Sequence, residues 1–159
     1  MSTPPHLTLI SEVLPVQRRD FTLTDPTLLN PNNANPLYDG EWLELDSSYK
    51  LVRGGAGEGA NPAWQLFAER GRYDTQAISK APILFIGGYE AETSIVNLTG
   101  LSVGSPLSVN DVTVDATTKR GLALTGVTSG EHLIVGYVTR VLTSTVRFWK
   151  VEPQWKHHA

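Results

Sequence analysis

The sequence predicts a mainly-β protein of short antiparallel strands, arranged as a barrel or a sandwich. The first observation is a series of short runs rich in Val, Thr, Ile and Leu between residues 93 and 151, separated by turn residues such as Asn110-Asp111 and Ser129-Gly130. The second is a strand-like alternation at residues 41–46, directly after the turn signal Asp39-Gly40. The third is a composition with 40% hydrophobic and only 18% charged residues, which favours a packed core over a disordered chain.

The β pattern becomes regular in the second half of the chain. The run Pro82–Ile86 has the length of a short buried strand and stops at Gly87-Gly88. Residues 64–68 are compatible with either a strand or one helical turn. Further strands are expected at 93–98, 107–109, 112–114, 122–124, 133–139 and 145–151.

Residues 1–39 differ from the rest and are expected to form an extended N-terminal arm. Six of the ten prolines lie here, and proline disfavours both long helices and central strands. The segment also carries many apolar side chains, which need a surface to cover them. We expect this arm to be mobile in the free protein and to dock on a neighbouring chain; the alternative is that it wraps its own domain. Its interface candidates are Phe21, Leu23, Leu28, Leu29, Leu37 and Tyr38.

Two other regions supply interface candidates. The charged segment 69–74 contains Arg70, Arg72 and Tyr73, and it is either a solvated loop or an interface patch. Trp155 lies beyond Pro153, in a segment 152–159 that is expected to be a loose tail. The chain is thus divided into an arm (1–39), a β domain (40–151) and a tail (152–159).

Several functional classes are disfavoured by the composition. A net charge of -3 provides no basic field for nucleic acid, and no apolar run reaches the ~20 residues that cross a bilayer. There is no cysteine for a thiolate nucleophile or a Cys-ligated metal. The glycine-rich segment 53–62 lacks the lysine of a phosphate-binding loop, and only His132 is placed to act as a general base inside the domain. We therefore expect no catalytic residue, no metal site, no cofactor and no enzymatic activity, with a small hydrolase as a minor alternative.

Two stretches of the chain resemble structural proteins of tailed bacteriophages. The first runs from Phe67 to Thr93 and includes Pro82–Ile86. The second contains Gly104-Ser105-Pro106-Leu107-Ser108-Val109 and, later, Ile134-Val135-Gly136-Tyr137-Val138. Capsid decoration (cement) proteins have a similar order of a Gly-x-Pro-Leu-x-Val strand, a turn and a closing strand. The resemblance covers about residues 40–150 and excludes the arm.

This resemblance implies a β-barrel or β-tulip-like domain that forms a homotrimer on the outer surface of the capsid. The implied partners are the major capsid protein and further copies of the chain, with no nucleic acid, membrane or cofactor. The protein would be made in the host cytoplasm and be located on the virion. Two alternatives stay open: a tail, baseplate or head–tail connector component, and a carbohydrate-binding module for host recognition.

Overall fold

The computed structural model describes residues 6–12, 17–30, 32–53, 64–66, 80–86, 88–125 and 130–158. In these ranges the chain is mainly β, with one short 3₁₀ turn at Pro26–Leu29. No helix among the described residues has the length and apolar character needed to span a bilayer. The strands are β1 (Leu7–Glu12), β2 (Gln17–Thr22), β3 (Trp42–Leu45), β4 (Leu51–Val52), β5 (Trp64–Leu66), β6 (Lys80–Ile86), β7 (Tyr89–Thr93), β8 (Pro106–Val114), β9 (Thr117–Leu124), β10 (Gly130–Val141) and β11 (Val146–His158).

Six strands form one antiparallel sheet in the order β1-β7-β11-β10-β8-β9. The runs at 107–109 and 112–114, expected as two strands, belong to the single strand β8. This strand continues into β9 through a tight turn at Asp115 and Ala116, where both residues have positive φ angles of 50° and 60°. Two successive positive φ values are typical of the two-residue turns that match the twist of a β-hairpin.

This sheet is rolled rather than flat. Residues 94–97 follow directly after β7, the second strand in the sheet order, yet Val96 forms a parallel bridge with Leu122 of β9, the sixth strand. The backbone N–H of Asn97 donates to the Leu122 carbonyl at 2.8 Å, and the N–H of Leu122 donates to the Ile95 carbonyl at 3.1 Å. Neighbouring strands are about 4.8 Å apart, so a flat sheet could not bring these segments together. The strand expected at 93–98 therefore ends at Thr93, and its continuation crosses to the far side of the sheet.

The second sheet contains five antiparallel strands in the order β2-β6-β5-β3-β4. It is rolled in the same way, because Leu23, directly after β2, forms a parallel bridge with Leu51 of β4 at the other edge. The N–H of Thr24 donates to the Leu51 carbonyl at 3.0 Å. In both sheets the two sides meet at a bridge and not along a full strand pair, so no closed barrel is formed by the described strands.

Each rolled sheet encloses its own hydrophobic core. The larger core contains three aromatic side chains, and the rings of two of them, Tyr89 and Phe148, meet edge to face with centroids 6.4 Å apart. The smaller core consists of Leu23, Leu43 and Leu51, with partly buried neighbours around them. The other members of the larger core are Leu7, Trp42, Ala91, Val96, Leu107, Leu122, Val135, Val138 and Val146.

The N-terminal segment is part of this fold: its described residues pair with other strands instead of forming the separate extended arm that was expected. Leu7–Glu12 pairs with β7, and Gln17–Thr22 pairs with β6. Each is the first strand of its sheet, an edge position that suits a proline-interrupted chain, because proline removes a ladder donor. The prolines divide the segment into short edge strands instead of preventing strand formation.

The C-terminal segment is also different from the expectation. Residues 152–158, predicted as a loose tail, continue strand β11 and pair with the start of β10. The register shifts between the pairs Ile134–Gln154 and Gly136–Lys150, which leaves two additional residues on β11. Pro153 lies in this bulge, where a missing N–H costs no ladder hydrogen bond.

Candidate functional site

Most of the apolar residues predicted as interface candidates lie in the smaller core. Leu23 is buried, and Phe21, Leu29 and Leu37 pack against the core around it. Leu28 is half-buried, and its carbonyl accepts a hydrogen bond from the N–H of Leu37 at 2.8 Å. The side chains that pack here contribute to the core of their own sheet, and their docking on a neighbouring chain stays a prediction.

The remaining candidates have different positions. Arg70, Arg72 and Tyr73 lie outside the described residues, as does most of the glycine-rich segment. Trp155 lies in β11, where its backbone is paired with that of Leu133. Only Tyr38 joins a cluster of polar and charged groups.

Tyr38 is held on three sides between the two sheets. Its ring stacks on His6 with centroids 4.3 Å apart, and the Lys119 Nζ lies 3.8 Å from the ring centroid. Its hydroxyl donates to Asp115 Oδ2 at 2.9 Å, while His6 Nδ1 is 2.8 Å from Ser94 Oγ. Burial, together with the neighbouring Asp115 carboxylate, raises the pKa of Tyr38 above its usual value.

An ion pair beside Tyr38 connects Glu41, directly before β3, with Arg53, directly after β4. Glu41 is fully buried, and Arg53 reaches it with Nε to Oε1 at 3.0 Å and Nη2 to Oε2 at 3.1 Å. The same guanidinium donates to the Asn35 carbonyl at 2.7 Å and to the Pro36 carbonyl at 2.8 Å. The N–H of Tyr38 also donates to Glu41 Oε2, at 2.6 Å. This planar, forked arrangement is one that arginine can form and lysine cannot.

Lys119 completes the cluster from the other sheet. It lies on β9, its relative exposure is only 1%, and its ammonium donates to the Pro36 carbonyl. The pKa of Lys119 is lowered to about 8, chiefly by burial; nearby Arg53 also lowers it, whereas Glu41 and Asp115 raise it. We call the group Pro36, Tyr38, Glu41, Arg53 and Lys119 the seam, since it joins the five-stranded sheet to β9 of the six-stranded sheet.

The seam is arranged to hold the two sheets together. A buried amine with a lowered pKa is the kind of group that acts as a base or a nucleophile. Here, however, the Lys119 ammonium is covered by the Tyr38 ring and bound to a backbone carbonyl, and both Glu41 oxygens accept hydrogen bonds. Among the described residues, no three carboxylate or imidazole side chains are grouped as a metal site requires. The geometry therefore provides structural connections between sheets.

Sequence reasoning singled out only Tyr38 from the seam, and it did so as a candidate for contact with another chain. Glu41 and Lys119 stand in alternating strand patterns where charged residues ordinarily face water, and Arg53 stands at the start of a glycine-rich segment. The one available signal was Asp39-Gly40, which marks a turn directly before Glu41. Gly40 has a φ of 87°, and a Cβ there would lie 3.1 Å from that of Leu7, so this turn packs closely against β1.

A second feature is a set of three exposed apolar side chains on the six-stranded sheet and on the loop 98–105 that leads into β8. It is formed by Val103, Val141 and Leu124, with relative exposures of 72%, 37% and 36%. The loop 98–105 carries Val103 and lies close to Leu124, because a Cβ on Gly100 would lie 3.2 Å from Leu124 Cδ2. It is also bonded to β10, where the Val138 carbonyl accepts the N–H of Gly104 at 2.8 Å. We call these three residues the end surface.

The loop that carries Val103 is fixed by hydrogen bonds on both sides of it. The N–H of Ser102 donates to Ser105 Oγ at 3.0 Å, and the N–H of Ser105 donates to the Ser102 carbonyl at 3.0 Å. The adjoining Leu98 and Leu101 pack against the larger core. The most exposed valine of the end surface is thus presented in a defined conformation.

Comparisons of the chain with protein-family models, with curated proteins and with solved structures find no match. The functional proposal therefore depends on the geometry of the described residues and on the sequence resemblance to decoration proteins.

Proposed function

We propose that the chain is a viral structural protein, specifically a capsid decoration (cement) protein that binds the outer surface of the major capsid protein shell and stabilises the phage head. The observation that carries this proposal is the end surface, with Val103 exposed at 72% on a hydrogen-bonded loop. An apolar side chain held in water in a fixed conformation favours binding, because little conformational entropy is lost on association.

The sequence resemblance supports the same surface. Its Gly104-Ser105-Pro106-Leu107-Ser108-Val109 segment begins directly after Val103 and forms the first part of β8. Leu107 and Ser108 are buried, so this segment anchors the exposed loop to the larger core. In the proposal, the motif residues fix the position of a loop that contacts the shell.

The fold changes which part of the protein is proposed to contact the shell. Because the apolar side chains at residues 21–37 pack within the protein, shell binding is assigned to the end surface and not to an N-terminal arm. The two rolled sheets then correspond to the barrel-like or tulip-like body of a decoration protein. The proposed protein is a homotrimer without catalytic activity or cofactor, made in the host cytoplasm and located on the virion. Light scattering at high micromolar concentration should give three times the chain mass, whereas a strict monomer would contradict the trimer.

Shell binding can be tested with two variants of equal charge. Wild-type protein, Val103→Asp and Thr113→Asp would each be mixed with undecorated shells of the phage's own major capsid protein and sedimented. Thr113 is exposed on β8 near the opposite end of the hairpin, so its variant adds the same charge away from the end surface. We expect Val103→Asp to weaken binding at least tenfold, about 1.4 kcal/mol, and Thr113→Asp to bind like wild type.

The outcomes separate the competing functions. Equal binding by all three proteins would remove the end surface from the contact. Failure of the wild type to bind shells, with only a few copies per particle in cryo-electron microscopy, would favour a tail, baseplate or connector component. Binding to glycans instead of shells would favour the carbohydrate-binding module.

A further inference from the structure

The turn between β3 and β4 presents an aromatic side chain in an unusual backbone conformation. Tyr49 has a φ of 58° and a relative exposure of 77%, the highest of the large apolar and aromatic side chains described as exposed. Positive φ angles suit glycine or asparagine, whereas a bulky side chain in this region is strained. Packing does not offset this strain, because most of the ring is in water.

Asp46 holds this turn in place. Its Oδ1 accepts the N–H groups of Ser48 at 2.8 Å and Lys50 at 3.0 Å, and its Oδ2 accepts the Thr24 hydroxyl at 2.8 Å. The backbone adds two bonds, from the Asp46 N–H to the Lys50 carbonyl at 2.9 Å and from the Tyr49 N–H to the Asp46 carbonyl at 3.0 Å. The same hydrogen bonds lower the pKa of Asp46 below its usual value, because they favour the charged carboxylate.

The composition of the tip resembles that of protein-recognition loops. Ser47, Ser48, Tyr49 and Lys50 are all exposed. A tyrosine has a large contact area and only two side-chain torsions to fix, and small serines beside it adapt their hydrogen bonds to a partner. Strained residues cluster at functional sites, and this one is exposed on a hydrogen-bonded turn.

We propose that Tyr49 is an anchor residue that inserts into a shallow apolar pocket on a shell subunit, with its hydroxyl donating to an acceptor at the pocket rim. The exposed Lys50 beside it fits a carboxylate on the same subunit. This assignment rests on the proposed shell-binding function and adds a second point of contact, formed by the five-stranded sheet. Two contacts carried by the two sheets would explain why the seam holds those sheets in a fixed relation.

The inference predicts that stability and binding change in opposite directions. Tyr49→Gly removes the strain, so the melting temperature should rise by about 2–4 °C. The same variant should bind undecorated shells at least tenfold more weakly. Ala116→Gly is the matched control, since Ala116 also has a positive φ, at 60°, in the β8–β9 turn. It should raise the melting temperature similarly while shell binding stays at the wild-type level.

A third variant and a second ligand complete the test. Tyr49→Phe retains the ring and should bind shells more tightly than Tyr49→Gly but less tightly than wild type. The assignment of Tyr49 is overturned if Tyr49→Gly binds shells as tightly as wild type. If Val103→Asp still weakens binding in the same experiment, the proposed function stands without a contact at Tyr49. If the wild-type protein does not bind shells, both the Tyr49 assignment and the proposed shell-binding function are overturned. Loss of glycan binding in Tyr49→Gly, with shell binding intact, would reassign the tip to carbohydrate.

Discussion

Trp42 and Leu43 are neighbours in β3, yet their side chains belong to different hydrophobic cores. Trp42 is a member of the larger core within the six-stranded sheet, whereas Leu43 is a member of the smaller core within the five-stranded sheet. Successive side chains of a strand point to opposite faces, so β3 is the layer that both cores share. This relationship couples the two rolled sheets through the backbone, in addition to the seam.

The shared strand predicts that the two sheets unfold together. Leu43→Ala removes a fully buried side chain and should lower the free energy of unfolding by about 2–5 kcal/mol. Tryptophan fluorescence and far-UV circular dichroism should report the same single transition during urea unfolding. Ile10→Ala, at a side chain with 40% exposure, is the control and should change the free energy by less than about 1 kcal/mol. Two separated transitions in the Leu43→Ala variant would show that the sheets are independent.

The rolled shape of the six-stranded sheet depends on Gly121. A Cβ at this position would collide with the Ile95 carbonyl oxygen and lie 2.8 Å from Ile95 Cγ2. Because the obstacle is backbone, Gly121→Ala should destabilise the protein by about 1–3 kcal/mol in urea unfolding. For comparison, a Cβ on Gly88 would meet only the Lys150 carbonyl oxygen at 3.8 Å, so Gly88→Ala should be tolerated. Equal stability of the two variants would contradict the close approach at residue 95.

The buried ion pair of the seam should contribute far more than a surface pair. Glu41→Gln leaves the Arg53 guanidinium without its carboxylate, and we expect a loss of about 3–5 kcal/mol. The comparison is Glu92→Gln, which breaks the partly exposed pair with Arg147, where the side chains are 28% and 33% exposed; about 0–1 kcal/mol is expected there. A double-mutant cycle with Arg53→Met should give a coupling energy above about 1 kcal/mol. Similar losses for Glu41→Gln and Glu92→Gln would disprove the special role of the seam.

The lowered pKa of Lys119 predicts that the free energy of unfolding rises as the pH becomes alkaline. This pKa is about 8 in the folded protein and near the usual lysine value of 10.5 in the unfolded chain. Between these values the unfolded chain binds more protons, so the free energy of unfolding rises with pH from about 8 towards 10.5. The pKa of Tyr38 is raised in the folded protein, so ionisation of tyrosine above about pH 10 lowers the free energy of unfolding. The effect of Lys119 is therefore measured between about pH 7.5 and 9.5. Over that range Lys119→Met should show a flatter dependence in urea unfolding, and an unchanged slope would exclude Lys119 as the cause.

The positions of strands could be predicted largely from local sequence. The run at 41–46 contains β3, the run at 82–86 lies within β6, and the run at 133–139 lies within β10. These predictions were confirmed because β-branched residues, alternation and turn residues act over a few neighbouring positions. The same local signals failed at 93–98, where the chain leaves its own ladder to bridge Leu122.

The partners of those strands were decided only by the tertiary structure. A strand edge can pair with any other strand, and an apolar side chain can be covered by its own chain or another, so the pattern at residues 1–39 did not specify where Leu7 and Leu23 would be buried. The burial of Lys119 likewise depends on a segment far away in sequence, residues 36–38, which supplies the carbonyl of Pro36 and the ring of Tyr38. The sequence by itself determined a mainly-β chain with low charge and no cysteine. Only long-range pairing decided that this chain forms two rolled sheets, linked where Lys119 of β9 meets Pro36 and Tyr38.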